Sequence, residues 1–262
     1  MKNIARVDRR PANLGMALTA LTFALAIVPA HAQQNKEPQI MSNDQAASQT
    51  LSAKQQAIPL IAAAMATGDM PRLKAALTRG LDAGLTISEA RDILVQLYAY
   101  AGFPRSLNAL AELATLVEAR KQRSIQDAPG REPGKAIPAG EELRAIGMAN
   151  QTTISGGPVT GPVFDFAPVI NQFLQSHLFG DIFERDNLDW QSRELATVGA
   201  LAAMPGVEGQ LRSHMAASIR VGLSPAQLRQ LIDELEQSGD AASADRARTA
   251  LSQALVALNI ED

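Results

Sequence analysis

Residues 80–89 read GLDAGLTISE, and residues 218–227 read SIRVGLSPAQ. The two stretches share a Gly-Leu-hydroxyl triplet, Gly84-Leu85-Thr86 and Gly222-Leu223-Ser224, at an offset of 138. Each glycine suits a helix end that needs a left-handed residue. Each hydroxyl suits the cap of the next helix, and Glu89 or Gln227, three residues on, completes a capping box. Pro225 falls at a first helical position, where its missing N–H costs nothing. The same offset pairs Gly68 with Gly206 and Leu73 with Leu211. One unit of helix, turn, helix, Gly-Leu-Ser/Thr, helix is present twice.

Working outward, Ile87, Ala90, Leu94, Leu97, Tyr98 and Ala101 follow the spacing of one helix face. Pro104, two residues after Gly102, predicts a turn at Gly102-Phe103 and then a helix carrying Leu107, Leu110, Leu113 and Leu116. Aromatic residues make up only 4% of the chain, and β-branched runs are missing, which argues against a sheet. The fold class expected is all-α, with tandem duplicated helical modules. The expected boundaries are a signal peptide over 1–32, a disordered polar leader over 33–50, a first module over 51–122, a linker over 123–164 and a second module over 165–260. The linker concentrates proline and glycine, carries a short helix near Glu141 to Ala149, and is expected to lie over the surface.

The start of the chain bears on compartment. Lys2, Arg6, Arg9 and Arg10 precede an uncharged run from Leu14 to Val28, and Ala30-His31-Ala32 follows. This is the pattern of a cleaved secretory signal, and the 15-residue run falls short of the roughly 20 a spanning helix needs. A periplasmic or secreted protein beginning at Gln33 is expected, with no membrane association after cleavage. Cleavage removes four of 24 basic and one of 27 acidic residues, leaving 20 against 26. A mildly acidic chain without a basic cluster is not a nucleic-acid partner. There is no cysteine, which removes disulfides, thiol nucleophiles and thiolate metal sites. After His31 only His177 and His214 remain, so a multi-histidine zinc site within one chain is not expected.

The stretch HLFGDIFERDNLDWQSRELATVGALAAMPGVEGQLRSHMAASIRVGLSPAQL, residues 177–228, resembles the core of the carboxymuconolactone decarboxylase family. GLDAGLTISEARDILVQLYAYAGFPRSLNAL, residues 80–110, is similar to the latter half of the same module. Arg193-Glu194-Leu195 followed by Gln210-Leu211-Arg212-Ser213-His214 is the more specific part. The resemblance implies an all-α fold of helical hairpins and modules that share sites across interfaces, here a trimer of two-module chains. It implies cofactor-free decarboxylation of a small lactone acid in one branch, and cysteine-based peroxide reduction in the alkylhydroperoxidase-like branch. The latter places cysteines seven and four residues before the histidine, where this chain has Val207 and Gln210.

Only Glu194 and His214 remain of that acid–base set, and the first module has Gln56 and Ala76 in their places. Conversely, Tyr100 to Pro104 has no counterpart in the second module. A composite site is therefore expected, with acid–base groups from one module and walls from the other. At ~1.5 Å rise per residue, Glu194 and His214 sit roughly 16 and 12 Å from the Met204-Pro205-Gly206 turn, near one level on antiparallel helices. A carboxylate beside an imidazole fixes one tautomer and suits it to move a proton. Arg193 and Arg212 are candidates to bind a substrate carboxylate, or to pair with Asp189 or Glu208. His177, Tyr100 and Phe103 complete the candidate substrate-binding set, with core packing the ordinary role of the two aromatics. Two functions stand: an acid–base enzyme on a small lactone or oxo acid, and a non-catalytic helical scaffold or binding protein.

Overall fold

The computed structural model describes residues 49–261, and among these no strand occurs. The signal peptide and nearly all of the leader lie outside the described residues. The first module contains α1 (Ala53–Thr67), α2 (Met70–Asp82), α3 (Ile87–Gln96), the short α4 (Tyr98–Ala101) and α5 (Phe103–Gln122). Then follow α6 (Gly140–Ser155), α7 (Pro162–Phe166) and α8 (Pro168–Phe173), which runs into a π-helical segment, Leu174–Ile182. The second module contains α9 (Trp190–Ala203), α10 (Glu208–Arg220), α11 (Pro225–Gln237) and α12 (Ala241–Leu258).

The duplication is visible helix by helix. Shifting by 138 carries α2 onto α10 at both ends, and carries the starts of α3 and α5 onto those of α11 and α12. The caps explain the agreement. Thr86 accepts from Glu89 N and Ser224 from Gln227 N, with both capping boxes closed. Gly84 and Gly222 take φ of 89° and 101°, and Gly68 and Gly206 take 75° and 87°, where a side chain would be strained. One difference from the sequence pattern is a break at Leu97: the face running from Ile87 to Ala101 belongs to two helices, α3 and α4.

The equivalent helices α1 and α9 lie against each other at the centre of the molecule. Both helices are rich in buried small residues, including Ala57, Ala62, Ala196 and Ala200, each fully buried. Small side chains let the backbones touch: a Cβ on Gly199 would stand 2.6 Å from both Cα and O of Pro59. One hydrophobic core therefore runs through both modules. A second, aromatic cluster of Phe179, Phe183 and Ile182 sits beside Ile154 and Ala217, with Tyr98, Tyr100 and Trp190 packed on it. There α6 meets the π-helical segment so closely that a Cβ on Gly147 would fall 1.7 Å from Gln175 O.

The connecting segment is pinned along the surface. Arg120 grips Asp127 at the end of α5, and Ala128 O and Pro129 O accept from Ile87 N and Ser88 N. Farther on, Arg131 and Gly134 N bind Asp186, and Lys135 pairs with Glu184. Gly130, at φ 76°, lies where a Cβ would strike Thr86 Oγ1.

Candidate active site

Glu194 projects from the first half of α9, whose start is capped by Asp189 accepting from Ser192 N. His214 projects from the middle of α10, beyond the tight turn at Gly206. The antiparallel pair brings His214 Nδ1 to 2.8 Å from Glu194 Oε2. The glutamate side chain has no exposed surface, and the imidazole retains 15%. With Nδ1 engaged, Nε2 is the ring nitrogen left to act at the surface.

The first module supplies the adjoining wall. Tyr100, from α4, sets its ring edge-on to His214 at 5.5 Å between centroids. Its hydroxyl and Glu194 Oε1 are both buried, and neither has a hydrogen-bond partner among the described residues. Burial, reinforced by the Glu194 charge, pushes the Tyr100 phenol far above its ordinary range. Thr197 and the Arg193 charge oppose that rise without reversing it. The Thr197 hydroxyl is already engaged, donating to Arg193 O and accepting from Gln96 Nε2.

A buried polar network fixes α9 against α3. Arg193, wholly buried, donates to Asp92 Oδ2 at 2.6 Å, to Gln96 Oε1 at 3.0 Å and to Arg185 O at 2.7 Å. Arg185 takes the other Asp92 oxygen at 2.6 Å, and the Phe183 ring lies 5.8 Å below the Arg193 guanidinium. Gln96 Nε2 also donates to Arg193 O, holding the backbone one residue before Glu194. Burial lowers the Arg193 pKa, and Asp92 offsets part of this. Arg193 is thus a positioning residue. Its ion-pair partner is Asp92 rather than Asp189 or Glu208, because α3 of the other module crosses α9 at this level.

The remaining candidates divide between two places. Arg212 is exposed on α10. His177 pairs with Asp181 at 2.7 Å on the π-helical segment, both about half exposed. Tyr98 bridges to it, with its ring 5.6 Å from His177 and stacked on Phe103 at 4.1 Å. Phe103 is 60% exposed rather than core, since α5 begins at the surface. The helical turn α4 therefore sends Tyr100 to the Glu194–His214 pair and Tyr98 to the His177 cluster. Asp92, Gln96, Thr197 and Arg185 were not singled out in the sequence. A signal existed: Asp92/Gln96 and Arg193/Thr197 are two polar i, i+4 pairs on otherwise apolar helix faces.

Two surface clefts, of about 240 and 330 Å³, include neither Glu194 nor His214 in their linings. No group of three or more metal-ligating side chains occurs among the described residues, and no helix there is long and apolar enough to cross a membrane. The model of the carboxymuconolactone decarboxylase family matches residues 39–115 and again residues 168–253. The chain belongs to the carboxymuconolactone decarboxylase family. A search of curated proteins returns no match. As a family member the chain holds its glutamate–histidine pair in the second copy only, and the first copy lends it Tyr100. Val207 precedes α10 and Gln210 lies in its first turn, and the chain has no cysteine.

Proposed function

We propose that this carboxymuconolactone decarboxylase family member is a cofactor-free acid–base catalyst acting on a small lactone or oxo acid. The observation that carries the reading is the Glu194–His214 contact, made by a wholly buried carboxylate to the inner nitrogen of a partly exposed imidazole. Loss of carbon dioxide from such an acid leaves its electron pair on carbon as an enolate. Imidazolium Nε2–H, its charge steadied by Glu194, would give a proton to that carbon, leaving the ring neutral until water reprotonates it. A carboxylate kept for packing alone would be expected to have both oxygens satisfied, whereas Glu194 Oε1 has no partner among the described residues.

The competing reading is a scaffold or binding protein that inherited the fold, favoured by the absence of the pair from both clefts described above. Turnover of a panel of lactone and 3-oxo acids in deuterium oxide separates the two. Carbon dioxide release with one deuterium at the former carboxyl-bearing carbon supports catalysis, and an inert panel supports the scaffold. Export and assembly are further parts of the proposal. Intact mass of protein recovered from the periplasm should place the mature start at Gln33. Exposed Phe103, Leu107, Phe166 and Phe173 suit contacts between chains in a trimer of two-module chains.

A further inference from the structure

We infer that the first module holds a second ligand site, at the place related by the duplication to the Glu194–His214 pair, which takes a small monocarboxylic acid on Arg72. The cleft of about 240 Å³ has Leu60, Arg72, Ala75, Ala76, Ser238 and Asp240 in its lining. The offset of 138 carries Ala76 onto His214 and Ser238 back onto Tyr100. The two largest side chains of the candidate active site are thus replaced here by a methyl and a hydroxymethyl group, and the space they would fill is open. The composite logic is also kept in mirror form. The floor comes from α1 and α2 of the first module, and the Ser238 wall from the end of α11 in the second.

Charge identifies the occupant. Arg72 and Arg79 lie seven residues apart on α2, hence on one face. Their counterparts in the second module are Gln210 and Ala217, so both cations belong to this cleft alone. Arg79 is already neutralised by Glu234 at 2.9 Å. The Arg72 guanidinium meets only neutral oxygens, donating from Nη2 to Ser238 O at 2.8 Å and Ser238 Oγ at 3.1 Å, and it forms no ion pair among the described residues. A carboxylate can accept charge-assisted hydrogen bonds from the guanidinium hydrogens that Ser238 leaves unused. The alanine and leucine floor suits an apolar body. Asp240, engaged as the α12 cap through Ser243 N, also lines the cleft and disfavours a second negative group. This site does not depend on His214 and stands whether or not the pair turns over substrate.

Calorimetric titration of the full chain with benzoate tests it. Saturable binding at about 1 mM is expected for a ligand of this size. Arg72→Gln should weaken it at least about tenfold, the loss of a charge-assisted contact, and Ala75→Leu, which fills the exposed wall, should weaken it similarly. His214→Gln should leave it unchanged, and phthalate should bind several-fold more weakly. No saturable heat, equal affinity in Arg72→Gln, loss of binding in His214→Gln, or equal affinity for phthalate would each overturn the assignment.

Discussion

Glu194 Oε2 stands 2.8 Å from His214 Nδ1, joining a residue with no solvent exposure to one that keeps an edge at the surface. The carboxylate can therefore act on bulk substrate only through the imidazole. Glu194→Gln preserves shape and can still accept from Nδ1, but removes the charge that stabilises imidazolium. It should lower turnover by about two to four orders of magnitude, and His214→Gln should do the same. The His214→Gln melting temperature should stay within a few degrees of wild type, measured beside turnover. Large losses of melting temperature in both variants, with an inert wild type, would instead mark a structural pair.

The Arg193–Asp92 contact is buried on both sides. Asp92→Ala strands a guanidinium in the interior and should destabilise the fold by about 3–5 kcal/mol in urea unfolding. Replacing both, as Asp92→Leu with Arg193→Met, should recover more than half of that loss. A single variant as stable as wild type would show that Arg185 O and Gln96 suffice to hold Arg193.

Gly199→Ala would drive a methyl group into the Pro59 backbone. Backbone cannot swing aside as a side-chain tip can, so a loss of about 3 kcal/mol is expected. Gly209→Ala in α10 meets nothing within 4 Å, and should be neutral or stabilising by up to about 1 kcal/mol. Paired thermal melts of the two variants make the comparison internal.

Asp186 is held down to about 2 by Gly134 N first and then by Arg131. Glu184 is also lowered: burial alone would raise it, but Lys135 and Asn150 together prevail. Both are carboxylates depressed in the folded state. Their hold on the connecting segment is complete above the ordinary carboxylate range, and fades as pH falls from about 4 toward 2 for Asp186. Asp186→Asn should reproduce the release at neutral pH. Tryptic cutting after Arg131 and Lys135 should rise several-fold, read by mass spectrometry, and unchanged cutting would contradict this account.

Phe166 is 91% exposed and Phe173 60% exposed on the short helices before the second module. Light scattering should find three chains for the wild type at micromolar concentration. Phe166→Asp with Phe173→Asp should yield single chains. A monomeric wild type would remove the assembly from the proposal.

The duplication was legible because it rests on local chemistry. Thr86, Ser224, Gly84 and Gly222 act on their own neighbours, so sequence spacing is enough to place them. The Glu194–His214 contact was legible for a similar reason: two helices joined by a short turn are antiparallel, and helical rise sets the level. Asp92 was not, because its partner lies 101 positions away and nothing local couples them. Phe103 was misplaced for the complementary cause. Its apolar character is the same in a core or on a face, and only the placement of α5 decides which. The cleft around Arg72 required knowing what was missing, a histidine and a tyrosine, and where their absence left room.

The crossing of α1 and α9 carries a last consequence. Two equivalent helices touching backbone to backbone is how two separate subunits would meet about a twofold axis, so the chain is in effect a dimer sealed by its own connection. Severing the peptide between Gly134 and Gly140 should therefore leave two fragments that are insoluble alone yet reassemble when made together. Because the halves are no longer identical, the first would not pair with a second copy of itself: Ile61 stands where Gly199 does, and its side chain would have to enter the close approach to Pro59. Divergence at that crossing makes the unlike half the better fit for the first.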